Sequence, residues 1–187
     1  MFSIRSKIAK AFSASVAMIV SAMMPAAAQA AQLQTPLIPT NNASIVLNYN
    51  DSVVSRDGRF RFIFQADGNL VLHQGTTALW DSGTTPHPYT VTQPGGPYTG
   101  GGFTTNFITY ACIAQFQADG NLVVLGASGL AAAGNPCPGR SPAGMTVLWS
   151  SNTYPYPGAR LEVQDDGNVV IYDASLRARW STRTCCR

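Results

Sequence analysis

Gln65-Ala-Asp-Gly-Asn-Leu-Val-Leu-His73, Gln117-Ala-Asp-Gly-Asn-Leu-Val-Val-Leu125 and Gln164-Asp-Asp-Gly-Asn-Val-Val-Ile-Tyr172 are three versions of one nine-residue string. Each carries Gln-x-Asp-Gly-Asn-x-Val, and each is followed downstream by Trp with Ser or Thr: Trp80-Asp-Ser82, Trp149-Ser-Ser151 and Trp180-Ser-Thr182. A repeat of this size governs the fold, because a unit too small to bury its own apolar face must stack on its copies.

The Asp-Gly pair between two alternating runs signals a hairpin, since Gly accepts the positive φ of tight turns. Side chains alternate across a strand, so loop length decides which residues share a face. A two-residue loop at Asp67-Gly68 pairs Gln65 with Leu70 and mixes polar with apolar on both faces. A loop with an odd number of residues, with Gln65 opposite Asn69, gathers Phe60, Phe62, Phe64, Leu70 and Leu72 on one face. Gln65, Asn69, Val71 and His73 take the other. The same operation gathers Cys112, Ala114, Phe116, Leu122 and Val124 against Gln117, Asn121, Val123 and Leu125, and Leu161, Val163, Val169 and Ile171 against Gln164, Asn168, Val170 and Tyr172. Three hairpins, each followed by a Trp-bearing strand, are therefore expected to pack around a shared core with the three Trp at its centre.

Arg5, Lys7 and Lys10, the apolar run Ala11 to Met24 and the small-residue stretch Ala28-Gln29-Ala30 have the order of a secretory signal peptide. The expected organisation is a signal peptide over 1–30 and one all-β domain over 31–187, secreted to the periplasm or the exterior. The apolar run is short for a membrane span, so no membrane insertion is expected. Without residues 1–30 the chain has nine Arg, no Lys and nine acidic residues, which gives no basic face for nucleic acid. In an exported chain Cys112, Cys137, Cys185 and Cys186 suggest disulfides rather than metal or redox chemistry. Adjacent Cys185 and Cys186 are badly placed to bridge each other, which leaves Cys112 any of the other three as partner.

Beyond the apolar face, the third copy offers the Gln164 and Asn168 amides, the Asp166 carboxylate, the Tyr172 hydroxyl and one valine, Val170. Sugar hydroxyls donate and accept at once, so a carboxylate among amides suits them, and a small branched side chain suits a C–H surface. Turn chemistry explains Asp-Gly-Asn in one copy. It does not require Gln two residues before the Asp, or Val two after the Asn, three times over.

The whole pattern, Gln164, Asp166, Asn168, Val170 and Tyr172 above all, resembles the bulb-type or monocot mannose-binding lectins, over about Ile45 to Thr182. The resemblance implies a β-prism of three four-stranded antiparallel sheets with pseudo-threefold symmetry and up to one mannose site per sheet. It assigns Asp and Asn to the 2-hydroxyl, Gln to the 3-hydroxyl, Tyr to the 4-hydroxyl and Val to the ring carbons, with no metal or cofactor. The third copy matches in full. The first, Gln65, Asp67, Asn69 and Val71, ends in His73 in place of Tyr. The second, Gln117, Asp119, Asn121 and Val123, ends in Leu125, which has no polar atom, so little mannose is expected there. Cys112 sits at one half of a disulfide of the plant lectins, whose other half falls at Gly68; Cys137 becomes the simplest replacement. The family also dimerises by exchanging C-terminal strands, which makes a homodimer an expectation here.

Two stretches exceed the family spacing, 84–106 and 126–146, and are expected as long loops, with Tyr89, Tyr98 and Phe103 either packed down on the prism or extending a sugar groove. Catalysis is not expected: His73 and His87 have no motif-level nucleophile or metal-ligand companion, and the three turn carboxylates belong to separate repeats. The competing expectation is a β-prism scaffold for protein or cell-surface interaction, antibacterial or toxin-like, with partly decayed sugar sites.

Overall fold

The computed structural model describes residues 29–93 and 101–186. The expected signal peptide thus falls, but for its last two residues, outside the described residues. Among the described residues thirteen strands form: β1 Gln32–Gln34, β2 Ile45–Leu47, β3 Ser52–Val54, β4 Phe60–Phe64, β5 Leu70–Gln74, β6 Thr77–Asp81, β7 His87–Gln93, β8 Phe103–Phe116, β9 Leu122–Leu130, β10 Thr146–Ser150, β11 Arg160–Val163, β12 Val169–Tyr172 and β13 Ala178–Ser181. They make three sheets, in the orders β1-β3-β4-β5-β6, β10-β9-β8-β2 with β7 also on β8, and β11-β12-β13. The three repeat hairpins share one core, as the repeat predicts, in the all-β prism that the resemblance implies.

The three repeat hairpins have the odd-numbered loop that parity demands. Phe64 lies opposite Leu70, Phe116 opposite Leu122 and Val163 opposite Val169. Phe60, Phe62, Phe64, Leu70 and Leu72 are all buried, as are Leu161, Val163, Val169 and Ile171. At the centre Trp80, Trp149 and Trp180 meet edge to face, with ring centroids 5.4 to 5.6 Å apart. That geometry sets positive ring edges against negative ring faces.

Each repeat seats the next through its turn glycine. Gly68, Gly120 and Gly167 have φ of +83°, +89° and +87°, and a Cβ on them would meet Ala111, Tyr156 with Ala159, and Phe60 respectively. The three contacts run in a ring, first copy to second, second to third and third to first. This closes the pseudo-threefold.

Several details differ from expectation. The sheets have five, five and three strands, and β1 joins β3 in parallel, whereas four antiparallel strands each were expected. The segment after β1 crosses to the third sheet, where Leu37 and Leu161 exchange backbone hydrogen bonds of 2.8 and 3.0 Å. Cys112 does not line the main core; the β8–β9 register shifts between Ala111 and Ile113, so Ala111 takes the inner position. A bulge of this kind re-aims one side chain, and Cys112 turns out to bond Cys137.

Nor are 84–106 and 126–146 loops throughout. His87–Gln93 pairs with Phe103–Thr109, and β9 runs on to Leu130 before two 3-10 turns, Ala131–Ala133 and Pro142–Gly144. Alternating Thr, Tyr and Val favour strand strongly enough to outweigh the Pro and Gly nearby. Tyr89 stacks on Phe107 at 5.4 Å and, like Phe103, stays exposed instead of packing on the prism; Tyr98 lies outside the described residues.

Candidate functional site

The turn chemistry is identical in the three copies. Gln N–H groups 65, 117 and 164 donate to the carbonyls of Asn69, Asn121 and Asn168 at 2.8 Å. Oδ1 of Asp67, Asp119 and Asp166 accepts the Asn N–H at 3.0 Å each time. The Asn side chain is then clipped from behind. Oδ1 of Asn69 accepts from Ser82 Oγ and the Thr84 N–H, that of Asn121 from Ser151 Oγ and the Thr153 N–H, and that of Asn168 from Thr182 Oγ1 and the Thr184 N–H, at 3.0 to 3.3 Å. The second Thr also donates its hydroxyl to the turn Gly carbonyl in each copy.

The clip has a sequence signal, Trp-x-Ser/Thr-x-Thr, of which only the first half was read. Between its two hydroxyl residues stands Gly83, Asn152 or Arg183, each with positive φ. Its consequence is chemical. With Oδ1 engaged, each Asn presents Nδ2 as donor, beside an Asp whose Oδ2 has no protein donor among the described residues. A donor and an acceptor side by side match one sugar hydroxyl.

In the third copy Gln164 Nε2 donates to Tyr172 Oη at 2.9 Å, which leaves the Tyr172 hydroxyl proton and Gln164 Oε1 for a ligand. Arg160 lies opposite Tyr172 and Glu162 opposite Val170. The two charges pair at 2.9 Å, with the guanidinium 5.5 Å from the Tyr172 ring centroid. Val170 is only 4% exposed, between Glu162 and Ser181 on neighbouring strands. The row is thus flatter than an exposed valine would make it. The first repeat buttresses this turn: the Asp57 N–H donates to Asp165 Oδ1 at 3.0 Å and Arg59 donates to the Asp165 carbonyl.

The chain end also reaches this copy. The Cys186 N–H donates to the Asp166 carbonyl at 3.1 Å, and the ligand atoms of Asp166, Cys185 and Cys186 lie within 4.8 Å of one another. Among the described residues this is the group of metal-capable side chains, all three exposed. The Cys186 thiol beside it, more than the Asp166 charge, pushes the Cys185 thiol up.

In the first copy Gln65 Nε2 stands 3.1 Å from His73 Nε2. This contact takes the place of the Gln164–Tyr172 hydrogen bond of the third copy. The second copy keeps Gln117, Asp119 and Asn121 but loses its open row. Ile113, Val123 and Leu125 form a buried apolar cluster with Met145 packed on it. Met145 belongs to the segment tethered by the Cys112–Cys137 bond. Outward apolar side chains need a cover, and this segment supplies it.

A β-prism with three hairpins, polar rows and Asp/Asn pairs aimed outward defines the class of carbohydrate-binding lectins. No family model matches the chain. Among solved structures it is similar to a monomeric monocot mannose-binding lectin from Gastrodia elata, 30% identical, with a TM-score of 0.51, covering 81% of this chain and 98% of that one. A lectin of Marasmius oreades, 21% identical with a TM-score of 0.53, shares the fold over 83% of this chain and 97% of its own. The B-type lectin plumieribetin of Scorpaena plumieri is 35% identical over 71 residues, 38% of this chain; the match spans about half that protein's length, 47%. The chain belongs to the bulb-type, or monocot mannose-binding, lectin family.

Proposed function

We propose that the protein is a secreted, non-catalytic lectin for mannose or mannose-containing glycans, and that the third copy is its principal site. The observation carrying this reading is the third row itself. Gln164, Asp166, Asn168 and Tyr172 leave an amide oxygen, a carboxylate oxygen, an amide N–H and a hydroxyl proton facing outward. The Gastrodia elata relative, described as mannose-binding, supports the choice of sugar. The first copy is a second site with His73 in place of Tyr, and the second copy, covered by Met145, contributes none.

Such shallow sites bind weakly one at a time, so avidity comes from two sites on one chain or from dimers. The test is retention of residues 31–187 on mannose-agarose. Asp166→Asn, which keeps the Oδ1 that supports the turn, is expected to lose most retention. Unchanged retention in that variant removes the third copy from the assignment. A second reading, a prism scaffold for a protein or cell-surface partner, is favoured by the exposed β7–β8 arm with Tyr89 and Phe103. A glycan array with no mannose-type ligand on folded protein decides for it.

A further inference from the structure

We infer that the first copy is selective for an anionic saccharide, a sugar phosphate or uronic acid, over its neutral counterpart; this rests on the lectin reading above. The triplication supplies its own control. Arg61 stands opposite His73 and Ile63 opposite Val71, in the register that Arg160 and Glu162 hold against Tyr172 and Val170. The same cation therefore flanks the fifth motif residue in both copies. In the third it is neutralised by Glu162 at 2.9 Å. In the first the equivalent position is Ile63, and among the described residues no carboxylate lies within ion-pairing distance of Arg61.

Arg61, Ile63, Gln65, His73, Gly75 and Thr76 line a depression of about 330 Å³, with no acidic residue in its wall. The acids of this sheet face, Asp67 and Asp81, lie toward the turn, Asp81 opposite Val71. A saccharide held by Asp67 and Asn69 thus extends from an acidic end to a cationic one. A phosphate or carboxylate there accepts from the Arg61 guanidinium in charge-assisted hydrogen bonds, whereas beside Tyr172 the Arg160–Glu162 pair offers the third copy no unpaired cation.

The experiment isolates each site. Asp166→Asn leaves the first copy as the sugar site, and calorimetric titration compares methyl α-mannoside, mannose 6-phosphate, mannuronate and inorganic phosphate at low ionic strength. Mannose 6-phosphate and mannuronate are expected to bind about three- to fivefold more tightly than the mannoside, a modest factor because an exposed ion pair is worth little and is screened by salt. The preference is expected to vanish in Arg61→Gln and in Ile63→Glu, which rebuilds the third-copy pair. It is expected to appear at the third copy in Glu162→Ile, with Asp67→Asn silencing the first. Equal binding of charged and neutral sugars, a preference that survives Arg61→Gln, or phosphate alone binding as well as the sugar phosphate overturns the inference. Loss of all sugar binding by the unmodified protein would instead overturn the lectin reading.

Discussion

Gly167 lies against the ring of Phe60 so closely that a Cβ on it would stand 2.7 Å from Phe60 Cε1. The first and third repeats touch through a missing methyl group, 107 positions apart in the chain. Gly120 is tighter, its notional Cβ being 2.4 Å from the Tyr156 carbonyl oxygen, which as backbone cannot swing away. Gly120→Ala is therefore expected to destabilise by about 3 kcal/mol, combining overpacking with a left-handed φ that L side chains resist. Gly58→Ala, with φ of +75° and nothing within 4 Å of the added carbon, is expected to cost only about 1 kcal/mol. Urea unfolding monitored by tryptophan fluorescence compares the two, and equal losses would refute a packing role for Gly120.

The Thr clip should separate stability from binding in one copy. Thr182→Val removes the hydroxyl that donates to Asn168 Oδ1, that meets Thr184 Oγ1 at 2.8 Å and that accepts from the Val169 N–H at 2.9 Å. The expected loss is about 2 kcal/mol of stability, because the buried Val169 N–H loses its acceptor and the half-buried Asn168 side-chain carbonyl loses one of its donors. Freed from its clip, the Asn168 amide is expected to reorient, lowering mannoside affinity at the third copy while the first is unaffected. Titration of Thr182→Val in the Asp67→Asn background measures this.

Acid should loosen the two turns that carry depressed carboxylates. Asp57 is held down to about 2, first by the Arg59 backbone N–H and then by the Ser55 hydroxyl. Asp173 is also lowered, chiefly by the Arg177 N–H and, among its other partners, by the Arg179 side chain. A carboxyl whose folded pKa lies below its unfolded value contributes stability that is complete above the unfolded value, about 4, and is lost as pH falls through the folded one. Urea midpoints should accordingly hold steady above pH 5 and fall between about pH 4 and 2. Asp57→Asn and Asp173→Asn should each flatten that limb; an unchanged slope in both variants would show that these carboxyls do not govern it.

What could be read from the chain depended on distance. Side-chain parity is local, so Phe60, Phe62 and Phe64 declared their face, and the three-residue turn followed from it. The Asp-Gly-Asn turns showed the polar row for the same reason. Thr84, Thr153 and Thr184 carry no local signal of their role, because the Asn side chains they support lie 15 to 32 positions upstream. Parity puts Cys112 on the inner face, and a bulge that nothing in the residue itself marks turns it away. The β7–β8 arm reads as a loop because Pro and Gly surround its Thr-Val-Thr alternation, although pairing along seven residues makes it a strand pair.

The cover of the second copy was invisible for a further reason, since Met145 reaches Ile113, Val123 and Leu125 only because its segment is tied down. The Cys112–Cys137 bond closes a separation of 25 residues, for which chain-entropy arguments give about 3.5 kcal/mol. Replacing both with Ser is expected to remove roughly that much stability and to free the segment bearing Met145. The apolar cluster would then be exposed, and binding of an apolar dye such as ANS should rise before global unfolding. Mannoside binding should not appear at this copy, because Leu125 still offers no hydroxyl where Tyr172 does. Dye binding without sugar binding would identify the tether as a cover for an apolar face. New mannoside binding would instead make it a plug over a working site.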